Sequence, residues 1–327
     1  MISVVLALLT AASNATASVL QRRAASQTKA TKPLGGLSLI RDLIRRRVWL
    51  AGIAMVVVAA LLQAGALATG PIALVQPIFI VELPLTLLLS SWVWHRKLAR
   101  KTWGAVVLVT VSLGTGLAAA EPSGGRDTAP TGTWILVLIA TVGFVGLLIG
   151  AGIRFTGEPR AGLLGLAAAC GYALTAALMK EAVSALDHGV VAFFETWQLY
   201  GVAIAGVGSL FLLQNALQAG TLAASQPALT CGDALLSTVY GVMLFHEHLR
   251  LGWFLIPEIV CLGLIVVGYI EIAKSPVAMA HDETQPSPPV DAADAPDAAP
   301  PGPSAGAVAD PPAGGARGAQ GSQAAAD

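Results

Sequence analysis

Long apolar runs dominate the chain, and nine of them reach the roughly 20 residues that a helix needs to cross a bilayer. Hydrocarbon offers no partner to backbone amides and carbonyls, so such runs form helices that satisfy their own hydrogen bonds. All seven tryptophans lie near the ends of these runs, as expected of aromatic side chains at the headgroup level. The pattern predicts an all-α integral membrane protein whose nine transmembrane helices cover residues 2–20, 48–69, 71–94, 103–120, 133–153, 161–179, 197–217, 221–245 and 253–273.

The composition agrees with this pattern and excludes several classes of protein. Hydrophobic residues make up 55% of the 327 residues and charged residues 12%, about half of the roughly 25% found in soluble domains. A soluble enzyme is therefore excluded, and the net charge of zero argues against a nucleic-acid binder. The sequence has no Walker motif, dinucleotide-binding fingerprint, Ser-His-Asp set or HExxH motif, so we expect neither ATP drive nor catalysis, and no cofactor.

Basic residues are distributed unevenly between the loops, which predicts the orientation of the helices. Sixteen of the nineteen Lys and Arg residues fall on one side if the loop between the first two spans is cytoplasmic. Only Arg126, Lys180 and Arg250 fall on the other side. Because cytoplasmic loops carry an excess of Lys and Arg, the chain is predicted to cross the cytoplasmic membrane with its N-terminus outside and its C-terminus inside.

The last 52 residues differ from the rest in composition. Residues 276–327 hold ten of the nineteen prolines and seven acidic residues against a single basic one, Arg317. Such a segment buries too little apolar surface to offset the entropy of ordering it, so it is predicted to be a disordered cytoplasmic tail. An interaction arm and a spacer without function both remain open.

Part of the sequence repeats after 150 residues. Val57–Trp103 aligns with Val207–Trp253 without a gap, and 11 of 47 positions are identical, among them a Gln-Pro pair. The first and sixth spans align at a shift of 158, which pairs Arg22 with Lys180. Because five spans separate equivalent helices, the second copy is predicted to be inverted, as in many secondary transporters. The predicted domains are a first four-helix repeat (residues 1–120), a linker helix (121–160), a second repeat (161–275) and the tail (276–327).

Two carboxylates lie about halfway along predicted spans, where a charge is costly. Glu82 is in the third span and Asp233 in the eighth, and each belongs to a polar stripe at helical spacing. We interpret these stripes as lining a wet cavity, with packing contacts between helices as the alternative. The candidate substrate-binding residues are Glu82, Thr86, Asp233, Thr230, Gln76, Gln226, Asn14 and Tyr172.

Prolines occupy matching positions in the two halves. Gln76-Pro77 and Gln226-Pro227 lie early in the third and eighth spans. A proline removes a backbone donor and can kink a helix, so helix interruptions are predicted at Pro77 and Pro227. Paired interruptions in corresponding positions of two halves point to a binding site.

Other polar residues near the membrane boundaries are interpreted as ordinary end residues. His246-Glu247-His248 is predicted to be a loop end with snorkelling side chains, since two histidines at this spacing face different sides of a helix. Glu195 and Gln198 are expected to anchor the outer mouth of the seventh span. Glu258 is a candidate third buried acid, whereas the cysteines Cys170, Cys231 and Cys261 lack metal spacing and are expected to pack as apolar residues.

Two segments resemble the drug/metabolite transporter (DMT) superfamily, including its EamA-type proteins. They are ALATGPIALVQPIFIVELPLTLLLSSWVWHRKLARKTWGAVVL and its echo ALQAGTLAASQPALTCGDALLSTVYGVMLFHEHLRLGWFLIPEIV. Members place a proline early in a span and an acid at its far end. Pro77 and Pro227 match the proline and Glu247 matches the acid, whereas Lys97 takes the acid's place in the first repeat. The nine-span layout with an outside N-terminus is similar to the NIPA-type magnesium transporter branch.

Three functions are compatible with the sequence. The first is a secondary transporter of the DMT type that moves a small organic solute or drug by alternating access, with proton exchange through Glu82 or Asp233. The second is a magnesium or other divalent-cation transporter that uses Glu82, Asp233 and Glu258 as oxygen ligands. The third is a non-transporting membrane subunit. Membrane lipid and a small molecule are the expected partners, nucleic acid is not, and proton or cation coupling and a homodimer are left open.

Overall fold

The computed structural model describes residues 1–26, 47–95, 97–250, 252–253 and 255–274. They belong to one compact unit, Met1–Gln285. The predicted disordered tail, residues 276–327, lies outside the described residues, as does most of the basic loop between the first two spans.

Nine helices within the described residues are long and apolar enough to cross a membrane, so the protein is an all-helical multi-pass membrane protein. This confirms the predicted number and type of elements. The nine spans are numbered in chain order. All except the third are continuous helices, and the first, second and fourth to ninth spans are Ile2–Ser26, Arg47–Thr69, Arg100–Ala120, Thr131–Ile153, Glu158–Ser184, Trp197–Ala219, Leu222–Phe245 and Leu255–Ala273. A 3₁₀ turn, Ala185–His188, and a short helix, Val190–Glu195, follow the sixth span.

The third span is broken in the middle. It consists of a helix, Ile72–Ile78, a 3₁₀ turn, Phe79–Val81, and a second helix, Glu82–Val93. The break follows from Pro84, whose missing amide leaves the carbonyl of Ile80 without its helical partner. The hydroxyl of Tyr269 in the ninth span takes that place.

The break in the third span begins at Phe79, two residues after Pro77, and the eighth span continues through Pro227. Pro77 lies inside the helix Ile72–Ile78, and Pro227 lies inside the unbroken eighth span. Both prolines are the sixth residue of their helix, beyond the first-turn amides that lack a helical partner, and the backbone nevertheless stays helical at each of them. In the predicted repeat, Ala234 stands at the position of Pro84 and keeps its amide, and the eighth span is continuous there.

The helices pack in two similar groups. The first span contacts the second and third, and the sixth contacts the seventh and eighth. The fourth span packs against the ninth, the first helix of the third span packs against the eighth, and the fifth span packs on the sixth. The inverted relation between the two groups stays a prediction.

One end of the bundle gathers the N-terminus and the loops after the second, fourth, sixth and eighth spans. Ser123 in the loop after the fourth span and His248 in the loop after the eighth exchange backbone hydrogen bonds of 3.0 and 2.9 Å. The amide of Arg126 donates to the carbonyl of Phe245. Ser3 lies against Gly70 at the same end. These are the loops that the charge distribution predicts outside, and we refer to this end as the predicted outer end; its orientation in a membrane stays a prediction.

Large apolar side chains fill the bundle near the predicted outer end. One buried cluster there joins the second, third, fifth, sixth and eighth spans, and its largest fully buried members are Leu67, Ile72, Trp134, Leu178, Leu244 and Phe245. Dense packing of this kind leaves little free space. The bundle is therefore densely packed around this cluster.

Candidate functional site

The break in the third span sets the position of Glu82, which is the first residue of the span's second helix. The side-chain amide of Asn14 in the first span donates to Glu82 Oε2 at 3.1 Å. The hydroxyl of Thr86 donates at 2.8 Å to the backbone carbonyl of Glu82 rather than to its carboxylate. Asn14 and Glu82 therefore form a direct polar contact between two spans, and Thr86 is engaged by its own helix.

A second carboxylate approaches from the other half of the chain. Asp233 lies in the eighth span, where Ser237 one turn later donates to Oδ1 at 3.4 Å. Tyr172 in the sixth span lies within electrostatic range of both Asp233 and Glu82. The structure thus brings four of the eight predicted residues together, and we call Asn14, Glu82, Tyr172 and Asp233 the central acid cluster.

The central acid cluster contains two carboxyl groups and has no basic partner among the described residues. Among the described residues, neither Glu82 nor Asp233 has a Lys, Arg or His within salt-bridge distance. The four residues lie between helices and are partly exposed, whereas the carboxyl groups of Glu82 and Asp233 lie deep among protein atoms. A carboxylate inside a membrane is expected to face a partner or a water-filled space, so this arrangement favours a cavity bordered by the two acids.

The other predicted residues lie outside this cluster. Thr230 and Gln226 lie one and two turns before Asp233 on the eighth span, and both are half-buried. Gln76 is 3% exposed near the predicted outer end, where its Nε2 has no hydrogen-bond partner among the described residues. Gln76 is therefore separated from the acids by the broken part of the third span.

A separate cavity of about 160 Å³ lies between the third, fourth, eighth and ninth spans. Its walls are mostly apolar and include Pro77, and Glu258 contributes a carboxylate. The described residues contain no group of three or more His, Cys, Asp or Glu side chains placed to hold a metal ion. Glu258 thus does not join Glu82 and Asp233 in the ligand set that the divalent-cation hypothesis requires.

A buried ion pair lies at the predicted outer end. Lys180 Nζ is 3.1 Å from Glu247 Oε1, and the two side chains are 4% and 0% exposed. The prediction of a snorkelling loop end at Glu247 is therefore wrong. His246 adopts a left-handed conformation, φ 52°. The backbone amides of His246 and Glu247 both donate hydrogen bonds to the carbonyl of Gly241. This turn directs Glu247 back into the bundle instead of towards the headgroups.

Glu181 forms a second buried polar network that the sequence analysis missed. Its Oε2 accepts the indole N–H of Trp134 at 2.6 Å and the amide of Ala129 at 3.2 Å, and its Oε1 accepts the side-chain amide of Gln198 at 2.7 Å. Gln198 is 7% exposed, so its predicted role as a boundary anchor is wrong. Glu181 thereby joins the fifth, sixth and seventh spans.

The sixth span extends beyond its predicted end because the two charged side chains there, Lys180 and Glu181, both have buried partners. The apolar run ends near Leu178, yet the helix continues to Ser184. Lys180 and Glu181 face different neighbours in this extra turn, since consecutive residues of a helix project about 100° apart. The one sign of these contacts in the sequence is a Lys-Glu pair directly after an apolar run.

Comparison with known proteins supplies a relative but no function. No protein-family model and no solved structure matches the chain. An uncharacterized protein of Corynebacterium glutamicum is 26% identical over 277 residues, which cover 84% of this chain and 96% of that protein. The similarity therefore extends over nearly the whole relative.

Proposed function

We propose that the protein is a secondary transporter that moves a small organic solute by alternating access and binds it at the central acid cluster. The observation that carries this proposal is a pair of carboxyl groups, Glu82 and Asp233, deep between helices and without basic partners among the described residues. Intramembrane acids of this kind are expensive and mark substrate or ion pathways.

The helix arrangement supports this proposal. Asn14, Glu82, Tyr172 and Asp233 come from the first, third, sixth and eighth spans, which are two pairs of equivalent spans in the predicted inverted repeats. Within each group, the first helix packs on the two that follow it. A site contributed by both repeats is expected of an alternating-access carrier, and the resemblance to the DMT superfamily agrees with it.

The charge of the site favours a positively charged solute. Two carboxylates attract a cation, and Asn14 and Tyr172 add a hydrogen-bonding amide and an aromatic face. An organic cation is favoured over magnesium as the solute, because no third acidic, His or Cys ligand joins Glu82 and Asp233 within the described chain. The same carboxylates can exchange protons for the solute, which keeps proton coupling part of the proposal.

Thiol labelling of the full chain tests whether the acids border an aqueous cavity. Cys170, Cys231 and Cys261 are replaced by Ala, and single cysteines are introduced as Gln226→Cys or Thr230→Cys on the stripe of Asp233. A charged, membrane-impermeant thiol reagent is then added from either side. Thr141→Cys is the control, because Thr141 is 6% exposed and hydrogen-bonded to Tyr240.

We expect reagent from one side to label the stripe positions and to leave the control position unlabelled. Organic ammonium ions slow this labelling in the parent and not in Glu82→Gln or Asp233→Asn. Folded protein that is unlabelled at both stripe positions from both sides refutes the cavity and favours the non-transporting subunit. Restored growth of a magnesium-uptake mutant, unaffected by organic cations, favours the divalent-cation transporter instead.

A further inference from the structure

Glu247 binds the first turn of the third span with both carboxylate oxygens. Oε1 accepts the amide of Ile72 at 2.6 Å and Oε2 accepts the amide of Ala73 at 2.9 Å. These amides have no carbonyl partner within their own helix, and an anion at a helix N-terminus is electrostatically favourable. The carboxylate therefore holds the predicted outer end of the third span against the loop that follows the eighth span.

Lys180 adds the sixth span to this contact. Its ammonium group donates to Glu247 Oε1 at 3.1 Å and to the carbonyl of Gly70 at 3.2 Å, and it lies 5.1 Å from the centre of the Phe245 ring. One buried ion pair thus connects the third, sixth and eighth spans, and these belong to both predicted repeats. Breaking it would free the first turn of the third span from the eighth and sixth spans, whereas the backbone hydrogen bonds between Ser123 and His248 would remain.

The surroundings of Glu247 are shaped for its carboxylate. A Cβ on Gly241 would collide with Oε2, and a Cβ on Gly125 would lie 2.9 Å from the Glu247 Cγ. Gly125 also adopts φ +107°, a conformation that other residues rarely take. Two elements, the end of the eighth span and the loop after the fourth, therefore leave room at this point that only glycine allows.

Closure at this end leaves one polar group unsatisfied. Gln76 lies one turn after Ile72, and its buried Nε2 has no hydrogen-bond partner within the described ranges. An unpartnered buried donor is unfavourable, and opening the outer end would give it water. The closed arrangement therefore needs a compensating interaction, which the Lys180–Glu247 pair provides.

The equivalent positions of the first repeat cannot form the same pair. Arg22 aligns with Lys180 and Lys97 aligns with Glu247, so both are basic, and Lys97 is exposed. Two cations repel each other and cannot cap a helix N-terminus. The two ends of the bundle therefore differ in how they close.

We propose that the Lys180–Glu247 pair is the gate of the predicted outer end: the central acid cluster opens to that side only when Glu247 releases the first turn of the third span. This inference rests on the proposed transport function. It makes Glu247 a gating residue that need not touch the solute, and it assigns the structure to a state that is closed on this side.

Accessibility of Gln76 tests the gate, because this residue lies between the ion pair and Glu82. In the cysteine-free full chain, reconstituted in proteoliposomes of known orientation, Gln76→Cys is exposed to the impermeant reagent from the predicted outer side. Labelling is compared among the parent, Glu247→Gln and Lys180→Met. Glu121→Gln is the matched control, since Glu121 pairs with Arg250 at the same end but both side chains are exposed.

We expect both gate variants to raise the labelling rate about tenfold or more, because removing one partner of a buried pair is strongly unfavourable to the closed state. The control is expected to match the parent. Gly241→Ala keeps both charges and displaces the carboxylate, so it is expected to raise labelling as well and serves if a charge variant does not fold. Unchanged labelling in the folded variants overturns the gate.

Thr230→Cys separates this failure from a failure of the proposed function. Labelling of Thr230→Cys from the opposite side in the parent supports the cavity whatever the gate variants show. If Thr230→Cys is labelled but the gate variants do not change the labelling of Gln76→Cys, the gate is refuted and the proposed transport function is not. If neither Thr230→Cys nor Gln226→Cys reacts from either side, the result speaks against the transporter.

Discussion

The hydroxyl of Tyr269 donates a hydrogen bond of 2.6 Å to the carbonyl of Ile80, although the two residues are 189 positions apart. That carbonyl precedes Pro84 by four residues, so the proline ring replaces the amide that would otherwise bind it. Tyr269 is 1% exposed and occupies this place from the ninth span. The break in the third span is thus supported by another helix, and it brings Glu82 to the start of a new helix beside Asn14.

A double-mutant cycle between Tyr269 and Pro84 measures this support. Tyr269→Phe removes the donor and leaves a buried carbonyl unpaired, which we expect to lower the free energy of unfolding by about 1–3 kcal/mol. In a Pro84→Ala background the new amide can bind the Ile80 carbonyl, so the same change is expected to cost less. Unfolding in mixed micelles with rising SDS provides the comparison. Equal costs in both backgrounds would show that the hydroxyl does not replace the missing amide.

Glu181 is expected to stabilise the fold through its hydrogen bonds alone. Glu181→Gln keeps the size of the side chain but turns one acceptor oxygen into a donor, which then faces an indole or amide N–H. We expect a loss of about 1–3 kcal/mol in the free energy of unfolding. Glu195→Gln, on an exposed acid nearby, is the control and is expected to have no measurable effect. A loss no larger than that of the control would contradict the network around Trp134.

The sequence predicts the nine helices well because length and apolar composition are local properties. It also identifies Glu82 and Asp233, since a carboxylate inside an apolar run is visible without knowledge of the fold. The position of the helix break is harder to predict from the sequence. The matching prolines drew attention to Pro77 and Pro227, whereas the decisive difference between the halves is Pro84 against Ala234.

The outer ion pair shows what the sequence pattern could not supply. Lys180, Glu181 and Glu247 lie at the ends of apolar runs, where charged residues are normally solvated. Their burial depends on the left-handed turn at His246 and on how neighbouring loops fold over the bundle, which are tertiary features. The family resemblance identifies Glu247 as a matching acid but does not indicate its partner Lys180.

The acids of the central cluster are expected to reduce stability, which distinguishes them from Glu181. Glu82→Gln and Asp233→Asn keep the size of each side chain and remove a carboxylate that has no basic partner in the described part of the chain. We expect each variant to raise the free energy of unfolding by about 1 kcal/mol, since intramembrane charge is costly and functional residues often trade stability for activity. The measurement is the same SDS titration. A loss comparable to that of Glu181→Gln would identify the two acids as structural anchors.

Two glycines of the sixth span offer a matched test of how closely it packs on the eighth. A Cβ on Gly165 would lie 2.7 Å from the carbonyl oxygen of Ser225, a backbone atom that cannot move without the helix, whereas a Cβ on Gly162 would lie 3.8 Å from that of Ala224. Gly165→Ala is therefore expected to push the spans apart and to cost about 1–3 kcal/mol. Gly162→Ala meets only ordinary contacts, and alanine is the better helix former by about 1 kcal/mol, so this control should be neutral or stabilising.

Because Asp233 and Tyr172 lie on these same two spans, Gly165→Ala should also change the rate at which Thr230→Cys is labelled, and Gly162→Ala should leave it unchanged. Equal stability and labelling in both variants would mean that the sixth and eighth spans are not in backbone contact at Gly165.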